Sequence, residues 1–211
     1  MDMQNWLSLL AEQIKDTAIL QWVAISFGVV EVLLAKKNSV LLYPAGIVSS
    51  SLSILLLAEA LLYAEAALSM YYVIISIYGW IYWTKKKNEP SVKISRASRR
   101  DWIITFCIVF LGWGLLYIIL KNFTDSDVPV VDAWISSTAW AGTWLLTRRK
   151  IENWILLNIS NLFAVPLLFH KHLPLFALLT CVLFVVACFG YFEWKKVYRK
   201  ENDILAKLKN A

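Results

Sequence analysis

Seven apolar stretches, each long enough to cross a lipid bilayer, follow one another along the chain. A membrane-spanning helix needs about 20 mostly apolar residues, because the hydrocarbon layer is about 30 Å thick and each residue rises about 1.5 Å. The sequence therefore predicts an all-α integral membrane protein with seven transmembrane helices. The predicted spans are Thr17–Ala35, Ser39–Leu57, Ala66–Trp83, Trp102–Leu120, Val130–Leu146, Asn153–Phe169 and Leu173–Trp194.

The composition excludes an ordinary soluble domain. Of the 211 residues, 59% are hydrophobic and 17% are charged, whereas soluble domains have roughly 45–50% and about 25%. The 11 Trp, 9 Tyr and 10 Phe exceed what a core of this size can hide from water, so apolar surface is expected to face lipid. Cys107, Cys181 and Cys188 lie inside apolar runs, where a thiol acts as a small hydrophobe, and we assign them no redox or metal role.

Basic residues are distributed unevenly between the two predicted sides of the membrane. All but three of the 21 Lys and Arg residues lie in the first, third and fifth connections or after the last span; the exceptions are Lys15, Lys121 and Lys171. The positive-inside rule therefore predicts an outer N-terminus and a cytoplasmic C-terminus, and an odd number of spans. The short basic clusters do not indicate a nucleic-acid partner, which would require a basic face on a soluble fold.

The two halves of the chain repeat each other at a distance of about 111 residues. The segment LLAKKN corresponds to LLTRRK, Gly79 to Gly190 and Trp83 to Trp194. Each copy would contain three helices, and the single span between them would make the two bundles parallel. Parallel repeats are a recognised transporter plan, with the substrate site near mid-membrane between the halves. The alternative is that basic-ended apolar helices resemble one another by composition alone.

This repeat divides the chain into five segments. Residues 1–16 are predicted to form an interfacial amphipathic helix, because Trp6, Leu9, Leu10 and Ile14 recur at helical spacing. The absence of a basic start and of a small-residue cleavage site argues against a cleaved signal peptide. The other segments are the first triple-helix bundle (17–87), a linker with the fourth transmembrane helix (88–128), the second triple-helix bundle (129–196) and a cytoplasmic tail (197–211).

Polar and aromatic residues inside the spans indicate a candidate substrate site, because polar groups that face lipid lack partners. Trp154, Asn158 and Asn161 lie at i, i+4 and i+7 on one face of the sixth span. An indole beside two amides can stack on a flat ring and hydrogen-bond its polar groups. Trp80 and Trp140, deep in the third and fifth spans, are further candidates for stacking. Alternatively, the two amides hold neighbouring helices together.

Four residues near span ends or within spans are interpreted structurally. Trp83 and Trp194 are typical of the interfacial aromatic belt. Pro44 and Pro166 lie in the middle helix of each copy, where each proline removes a helical hydrogen bond. We interpret these two positions as hinges or static bends.

The chain contains no recognisable catalytic constellation. There is no HExxH, GxSxG or phosphate-binding loop, and the outer-loop run His170–His172 lacks a further metal ligand. We therefore expect no enzyme activity, metal or cofactor. Glu31, about one turn from a cytoplasmic end, is expected to snorkel or to pair with Lys36 or Lys37. No other carboxylate suggests ion coupling in mid-membrane, which favours transport by facilitated diffusion.

Several segments of this sequence resemble the PnuC family of bacterial vitamin transporters. They include LLAKKN with the following Tyr43-Pro44-Ala45-Gly46, SIYGWIYW, Val131-Asp132-Ala133 and RRKIENW, and the likeness extends from about residue 20 to 196. The last segment is similar to the family's Trp-x-x-Trp-x-x-x-Asn/Asp substrate motif. Trp154 matches the first Trp and Asn161 the Asn/Asp, while Leu157 stands where the second Trp is expected.

This resemblance implies a fold similar to the SWEET sugar transporters, with three helices, a linker helix and three more. It implies facilitated diffusion of a ring-bearing vitamin across the bacterial cytoplasmic membrane, most simply nicotinamide riboside. It also implies trapping through phosphorylation by a cytoplasmic kinase, and homo-oligomers, in particular trimers. Thiamine or another vitamin or nucleoside is the alternative substrate, because Leu157 changes the aromatic cage. A sugar carrier rests on fold alone, and a seven-helix photoreceptor would need a lysine within Leu173–Trp194, which has none.

Overall fold

The structure, a computed structural model, describes residues 3–59, 63–84 and 93–209, and in these ranges the chain forms eight helices and no strand. Every predicted span contains a helix, with ends that differ by no more than three residues except at the last helix, which continues to Lys209 through the predicted tail. The helices are α1 Met3–Asp16, α2 Ile19–Lys36, α3 Leu42–Glu59, α4 Tyr63–Thr84, α5 Arg99–Phe123, α6 Pro129–Thr147, α7 Asn153–His170 and α8 Pro174–Lys209.

The outer surface of this helical assembly is apolar. Large aliphatic side chains such as Ile19, Leu111 and Leu162 are more than half exposed, which is the reverse of a soluble fold and fits contact with lipid. Among the described residues, five helices are long and apolar enough to cross a membrane, namely α2, α3, α5, α7 and the Pro174–Ile204 part of α8. The structure thus defines an all-helical membrane protein, and the count of seven crossings stays a prediction.

Six of the helices form a closed ring. α2, α3 and α4 pack in series, and so do α6, α7 and α8; α4 then meets α6, and α8 meets α2. We call these sets the first and second triplets, and the α4–α6 and α8–α2 contacts the two seams. α5 packs outside the ring, mainly against α6, where Val109 and Leu116 are buried. We call the end where α2 and α6 finish the inner end, following the predicted orientation.

The repeat extends to individual contacts at the inner end. In the first triplet the Tyr43 ring lies against Gly79 and meets the Trp83 ring edge-on, with centroids 5.1 Å apart. In the second triplet Trp154 lies against Gly190 and meets Trp194 edge-on at 5.7 Å. Each member of one set lies 111 residues after its counterpart, so Tyr43 and Trp154 are equivalent packing residues. Compositional similarity alone does not produce such matched contacts.

Two indole groups link the triplets to each other at the inner end. Trp83 Nε1 donates to the Thr147 carbonyl oxygen at the end of α6, at 2.9 Å. Trp194 Nε1 donates to the Ala35 and Lys36 carbonyl oxygens at the end of α2, at 3.0 and 3.2 Å. The last carbonyls of a helix lack helical partners, so these bonds also satisfy the helix ends. The interpretation of Trp194 as a belt residue is wrong, because its side chain is 1% exposed and belongs to the core.

The turns that follow α2 and α6 are also equivalent. Asn38 and Arg149 have left-handed backbone conformations, with φ of 54° and 51°. After each helix a backbone N–H donates to the carbonyl five residues earlier, which is the Schellman pattern of helix termination. The Arg149 guanidinium lies 3.8 Å from the Trp83 ring centroid, and burial lowers its pKa from the ordinary arginine value. The chain therefore enters α3 and α7, the middle helices of the two triplets, through turns of the same geometry.

The segment before α5 closes the inner end of the ring. Ile94 is 3% exposed and packs in the cluster that contains Tyr43, Trp154 and Trp194. Ser95 exchanges backbone hydrogen bonds of 3.0 Å with Arg149 and Ile151, in a single parallel bridge. The linker is thus attached to both triplets, and the inner end forms a packed aromatic core.

The first helix, α1, lies at the outer end of the ring. α1 covers the α7–α8 turn, where Gln13 Nε2 donates to the His172 carbonyl at 2.7 Å and Trp6 stacks on the His172 ring. Its predicted contact with the membrane surface stays a prediction.

The two prolines differ in their positions within the helices. Pro166 lies inside α7 as expected. Pro44 is the third residue of α3, where the N–H it lacks has no helical partner in any case, so the expectation of a lost helical bond there is wrong.

Candidate substrate-binding site

A cavity of about 410 Å³ opens at the outer end, in the seam between α4 and α6. This volume lies within the range of pockets that hold small organic molecules. From Asp132 to Trp140 the lining extends along α6 by eight residues, or about 12 Å, toward the middle of the membrane. The lining residues are Ser69, Tyr72, Leu120, Thr124, Asp125, Ser126, Asp132, Ser136, Trp140 and Lys171.

Trp140, one of the predicted stacking residues, lies at the deep part of this outer cavity. Its indole is half-buried, and the ring of Tyr71 stacks on it with centroids 4.5 Å apart and an interplanar angle of 25°. Tyr71 Oη also donates to the Trp140 carbonyl oxygen at 2.8 Å. The two contacts hold the indole against α4, so a planar aromatic surface is already oriented at the cavity wall.

An ion pair lies at the mouth of the outer cavity, beside the lining residue Asp125. Lys171 Nζ lies 2.7 Å from Asp132 Oδ2, and Ser126 Oγ donates to the same carboxylate oxygen. The neighbouring pair of His170 and Asp127, at 3.3 Å, is largely exposed. These groups give the mouth charged and hydrogen-bonding capacity. In the described ranges, His, Cys, Asp and Glu residues form no group of three that could hold a metal.

A larger cavity of about 630 Å³ lies at the other seam, between α2, α3 and α8. Gln21, Ile25 and Val29 line it and stand 111 residues before Asp132, Ser136 and Trp140, so the two cavities are related by the repeat. We call it the Glu31 cavity, because Glu31 is the charged residue in its lining. The other lining residues are Ala24, Gly28, Val32, Ser49, Ser53, Leu56, Leu57, Phe176, Leu179 and Leu183.

The Glu31 carboxyl group turns toward α3 rather than toward the inner membrane surface. A Cβ atom added to Gly46 would lie 2.6 Å from Glu31 Cδ, so this glycine provides the space that the carboxyl group occupies. Lys36, one of the expected partners, instead lies 3.2 Å from Glu193. Across residues 3–59, 63–84 and 93–209, no basic side chain forms an ion pair with Glu31. The expectation that Glu31 snorkels or pairs with Lys36 or Lys37 is therefore wrong.

Glu31 lies near the end of α2, above the packed core of the inner end. The next residue, Val32, packs against that core, and the Glu31 carboxyl group occupies the space beside Gly46. Tyr72 is a lining residue of the outer cavity at the other seam.

The predicted residues of α7 divide into two groups. Trp154 is 1% exposed, and with Asn158 it lines a groove of about 360 Å³ between α7 and α8. Asn158 Nδ2 donates to Cys188 Sγ at 3.3 Å, while Asn158 Oδ1 and Trp154 Nε1 are buried without a hydrogen-bond partner among the described residues. Asn161 is half-buried and lines none of the three cavities, and within the described ranges its amide makes no hydrogen bond.

Trp80 lies apart from the other predicted residues. It is 42% exposed on α4 and lines none of the three cavities described above. The structure therefore distributes the five predicted residues over the outer cavity (Trp140), the α7–α8 groove (Trp154 and Asn158) and other positions (Asn161 and Trp80). Sequence reasoning missed Tyr72 and the cavity role of Glu31. The repeat offered a signal for the second cavity, because Trp140 has a counterpart at Val29.

Comparisons with known proteins match almost the whole chain. The family model described as nicotinamide mononucleotide transporter matches residues 18–196. The nicotinamide riboside transporter PnuC of Escherichia coli K12 is 21% identical over 215 residues, covering 89% of this chain and 90% of the relative, and that of Shigella flexneri shows the same values. The crystal structure of the vitamin B3 transporter PnuC has a similar fold, with a TM-score of 0.69, 22% identity, and coverage of 92% and 90%.

A ring of apolar helices with a cavity at each of its two seams is the architecture of a multi-pass membrane protein. The chain belongs to the PnuC family, whose model carries the description nicotinamide mononucleotide transporter. Its place is the bacterial inner membrane. The resemblance inferred from the sequence motifs is confirmed, and the family is one of transporters rather than enzymes.

Proposed function

We propose that this protein carries nicotinamide riboside into the cytoplasm by facilitated diffusion. The observation on which the proposal depends is the outer cavity, which lies at a seam between the triplets and offers an oriented indole beside hydroxyl and carboxylate groups. A flat pyridinium ring can stack on Trp140, and ribose hydroxyls can bond Ser69, Ser136 and Asp132. The names of the Escherichia coli and Shigella flexneri relatives support this substrate.

The closed inner end supports a carrier rather than an open pore. The aromatic core around Tyr43, Trp154 and Trp194, with Ile94, separates both cavities from the inner end. Substrate bound from outside would leave only after this core had opened. Transport of this kind needs two conformations of the same helices, as parallel-repeat transporters use.

The polar groups of α7 form a second part of the proposal. Buried polar atoms normally have hydrogen-bond partners, yet Trp154 Nε1 and Asn158 Oδ1 lack them among the described residues. With the amide of Asn161 they are available to bind polar groups of the substrate during its passage. We propose Trp154, in the α7–α8 groove, and Trp80, on the exposed face of α4, as further aromatic contacts.

The topology of the proposal has seven transmembrane helices, α2 to α8, as parallel 3+1+3 triple-helix-bundle repeats. The N-terminus lies outside and the C-terminus in the cytoplasm. The ring of two triplets with α5 beside it supports this arrangement. We further propose that the protein forms homo-oligomers, in particular trimers, and that a cytoplasmic kinase traps the vitamin by phosphorylation.

Uptake into proteoliposomes tests the function directly. Purified protein should equilibrate labelled nicotinamide riboside across the membrane without any imposed ion gradient, and empty liposomes provide the control. Accumulation that needs a sodium or proton gradient would contradict facilitated diffusion, and absence of uptake would contradict the substrate. Competition by excess thiamine, riboflavin and a nucleoside measures selectivity.

Thiamine is the second candidate, because of the residue at position 157. Leu157 packs against α6 so closely that a Cβ on Gly142 would lie 2.9 Å from its side chain. An indole in place of Leu157 would therefore require different packing of α6 and α7. A substrate that does not need a second indole at this position, such as thiamine, is compatible with the observed contact. Stronger competition by thiamine than by unlabelled nicotinamide riboside would favour it.

A further inference from the structure

The Glu31 cavity combines one carboxylate with mostly apolar walls. Gln21, Ser49 and Ser53 supply its neutral polar groups, and Phe176 supplies an aromatic ring. Both serine hydroxyls donate to backbone carbonyls, to Ala24 at 2.9 Å and to Ser49 at 2.9 Å. Their donor capacity is used within the protein, so Glu31 dominates the electrostatic character of the cavity.

A charged carboxylate in this position is energetically unfavourable unless it has a partner. Ionisable groups inside a membrane protein are costly unless they are paired or serve a function. Glu31 has no cationic partner among the described residues, and Lys36, the nearby base on the same helix, is paired with Glu193. The charge is therefore available to a cation that enters from the cavity.

The volume of the Glu31 cavity determines what kind of cation fits. About 630 Å³ exceeds the need of a bare metal ion and suits an organic molecule. A carboxylate between apolar walls matches a flat ring that carries a delocalised positive charge. Both substrates proposed above have such a ring, since nicotinamide riboside contains a pyridinium and thiamine a thiazolium.

We propose that Glu31 is the counter-charge for the cationic ring of the transported vitamin, in the cavity between α2, α3 and α8. This inference rests on the proposed function and makes Glu31 a specificity-determining residue. Glu31 then selects charged rings over neutral rings of the same shape.

A pair of ligands that differ in ring charge tests this role. Nicotinamide riboside is cationic, and its dihydropyridine form is neutral with nearly the same shape. Calorimetry in detergent should show that Glu31→Gln lowers the affinity for the cationic riboside by about 10- to 100-fold, the range of a charge-assisted contact. Affinity for the neutral form should stay within about twofold, and Glu12→Gln, at an exposed carboxylate of α1, is the matched control that should change neither.

The outcomes separate this inference from the proposed function. The counter-charge role would be overturned if a folded Glu31→Gln protein lost affinity equally for both ribosides, or lost affinity for neither. If the unsubstituted protein binds neither riboside, the substrate assignment fails, and thiamine then replaces nicotinamide riboside as the cationic probe. A loss of thiamine affinity in Glu31→Gln would support the counter-charge, and an unchanged affinity would overturn it. Elution volume and thermal unfolding of each variant verify folding.

Discussion

Trp140 is the residue whose environment most closely matches its predicted role. The stacked Tyr71 ring and the tyrosine hydrogen bond to its carbonyl hold it at the outer cavity. A side chain that is already oriented loses little conformational freedom when a ligand binds. We therefore propose this indole as an aromatic contact for a ring that enters the outer cavity.

Replacement of Trp140 by Ala should weaken binding of nicotinamide riboside by about 1 to 3 kcal/mol, because a large apolar surface and ring stacking are lost. Trp140→Phe should recover part of this affinity. Calorimetric titration in detergent measures both. Trp102→Ala is the control, because that indole stacks on Phe106 at the start of α5, away from the outer cavity. Unchanged affinity in Trp140→Ala would remove the residue from the site.

The amide of Asn161 can be tested in the same way. Asn161→Ala should lower affinity by about 1 to 3 kcal/mol if the amide bonds the substrate. Asn122→Ala is the matched control, since its amide donates to the Ile118 carbonyl at 2.7 Å on the exposed end of α5. Equal affinities of the two variants would assign Asn161 to helix packing instead.

At the scale of helices, close contacts through glycine determine how each triplet packs. A Cβ added to Gly190 would lie 2.7 Å from the Trp154 ring, and one added to Gly79 would lie 2.7 Å from Tyr43 Oη. These glycines allow a large ring to fit against the neighbouring helix. The distance between α3 and α4 therefore depends on Gly79, and the distance between α7 and α8 depends on Gly190.

Gly190→Ala should lower the free energy of unfolding by about 1 to 3 kcal/mol, because the added methyl group overpacks a rigid aromatic contact. Gly114→Ala is the control, since a Cβ there would meet no atom within 4 Å. That substitution should be neutral or slightly stabilising. Thermal unfolding in detergent compares the two, and equal midpoints would contradict the role of the Gly190 contact.

Helix positions were predictable because apolar length and basic ends directly reflect the membrane. Side-chain direction was less predictable. Trp194 resembles a belt residue in sequence, but its indole turns inward to bond the end of α2. Glu31 lies five and six residues before Lys36 and Lys37, but Gly46 leaves room for its carboxyl group on α3. In both cases a residue distant in sequence determines the outcome.

For the whole molecule, the predicted odd number of crossings is the property that would orient both cavities. The predicted topology places the two ends of the chain on opposite sides of the membrane. It also places the packed core around Ile94 and Trp194 on the cytoplasmic side. The cavities would then be accessible from outside.

Cysteine labelling in intact cells tests this topology. In a chain whose Cys107, Cys181 and Cys188 are replaced by Ala, Asn5→Cys should react with a membrane-impermeant maleimide in intact cells. Asp203→Cys should react only after permeabilisation, and both positions are exposed in the structure. Labelling of both positions from the same side would require an even number of crossings and contradict the topology.

The bonds from Trp83 to α6 and from Trp194 to α2 make the two triplets mutually dependent. The two triplets cannot separate at the inner end unless both bonds break, the one from Trp83 to α6 and the one from Trp194 to α2. Partial separation of the triplets would break both hydrogen bonds and expose the aromatic core. Partly open conformations are therefore disfavoured. For a carrier of the kind proposed, we expect this coupling to limit the leak of small ions when no substrate is bound.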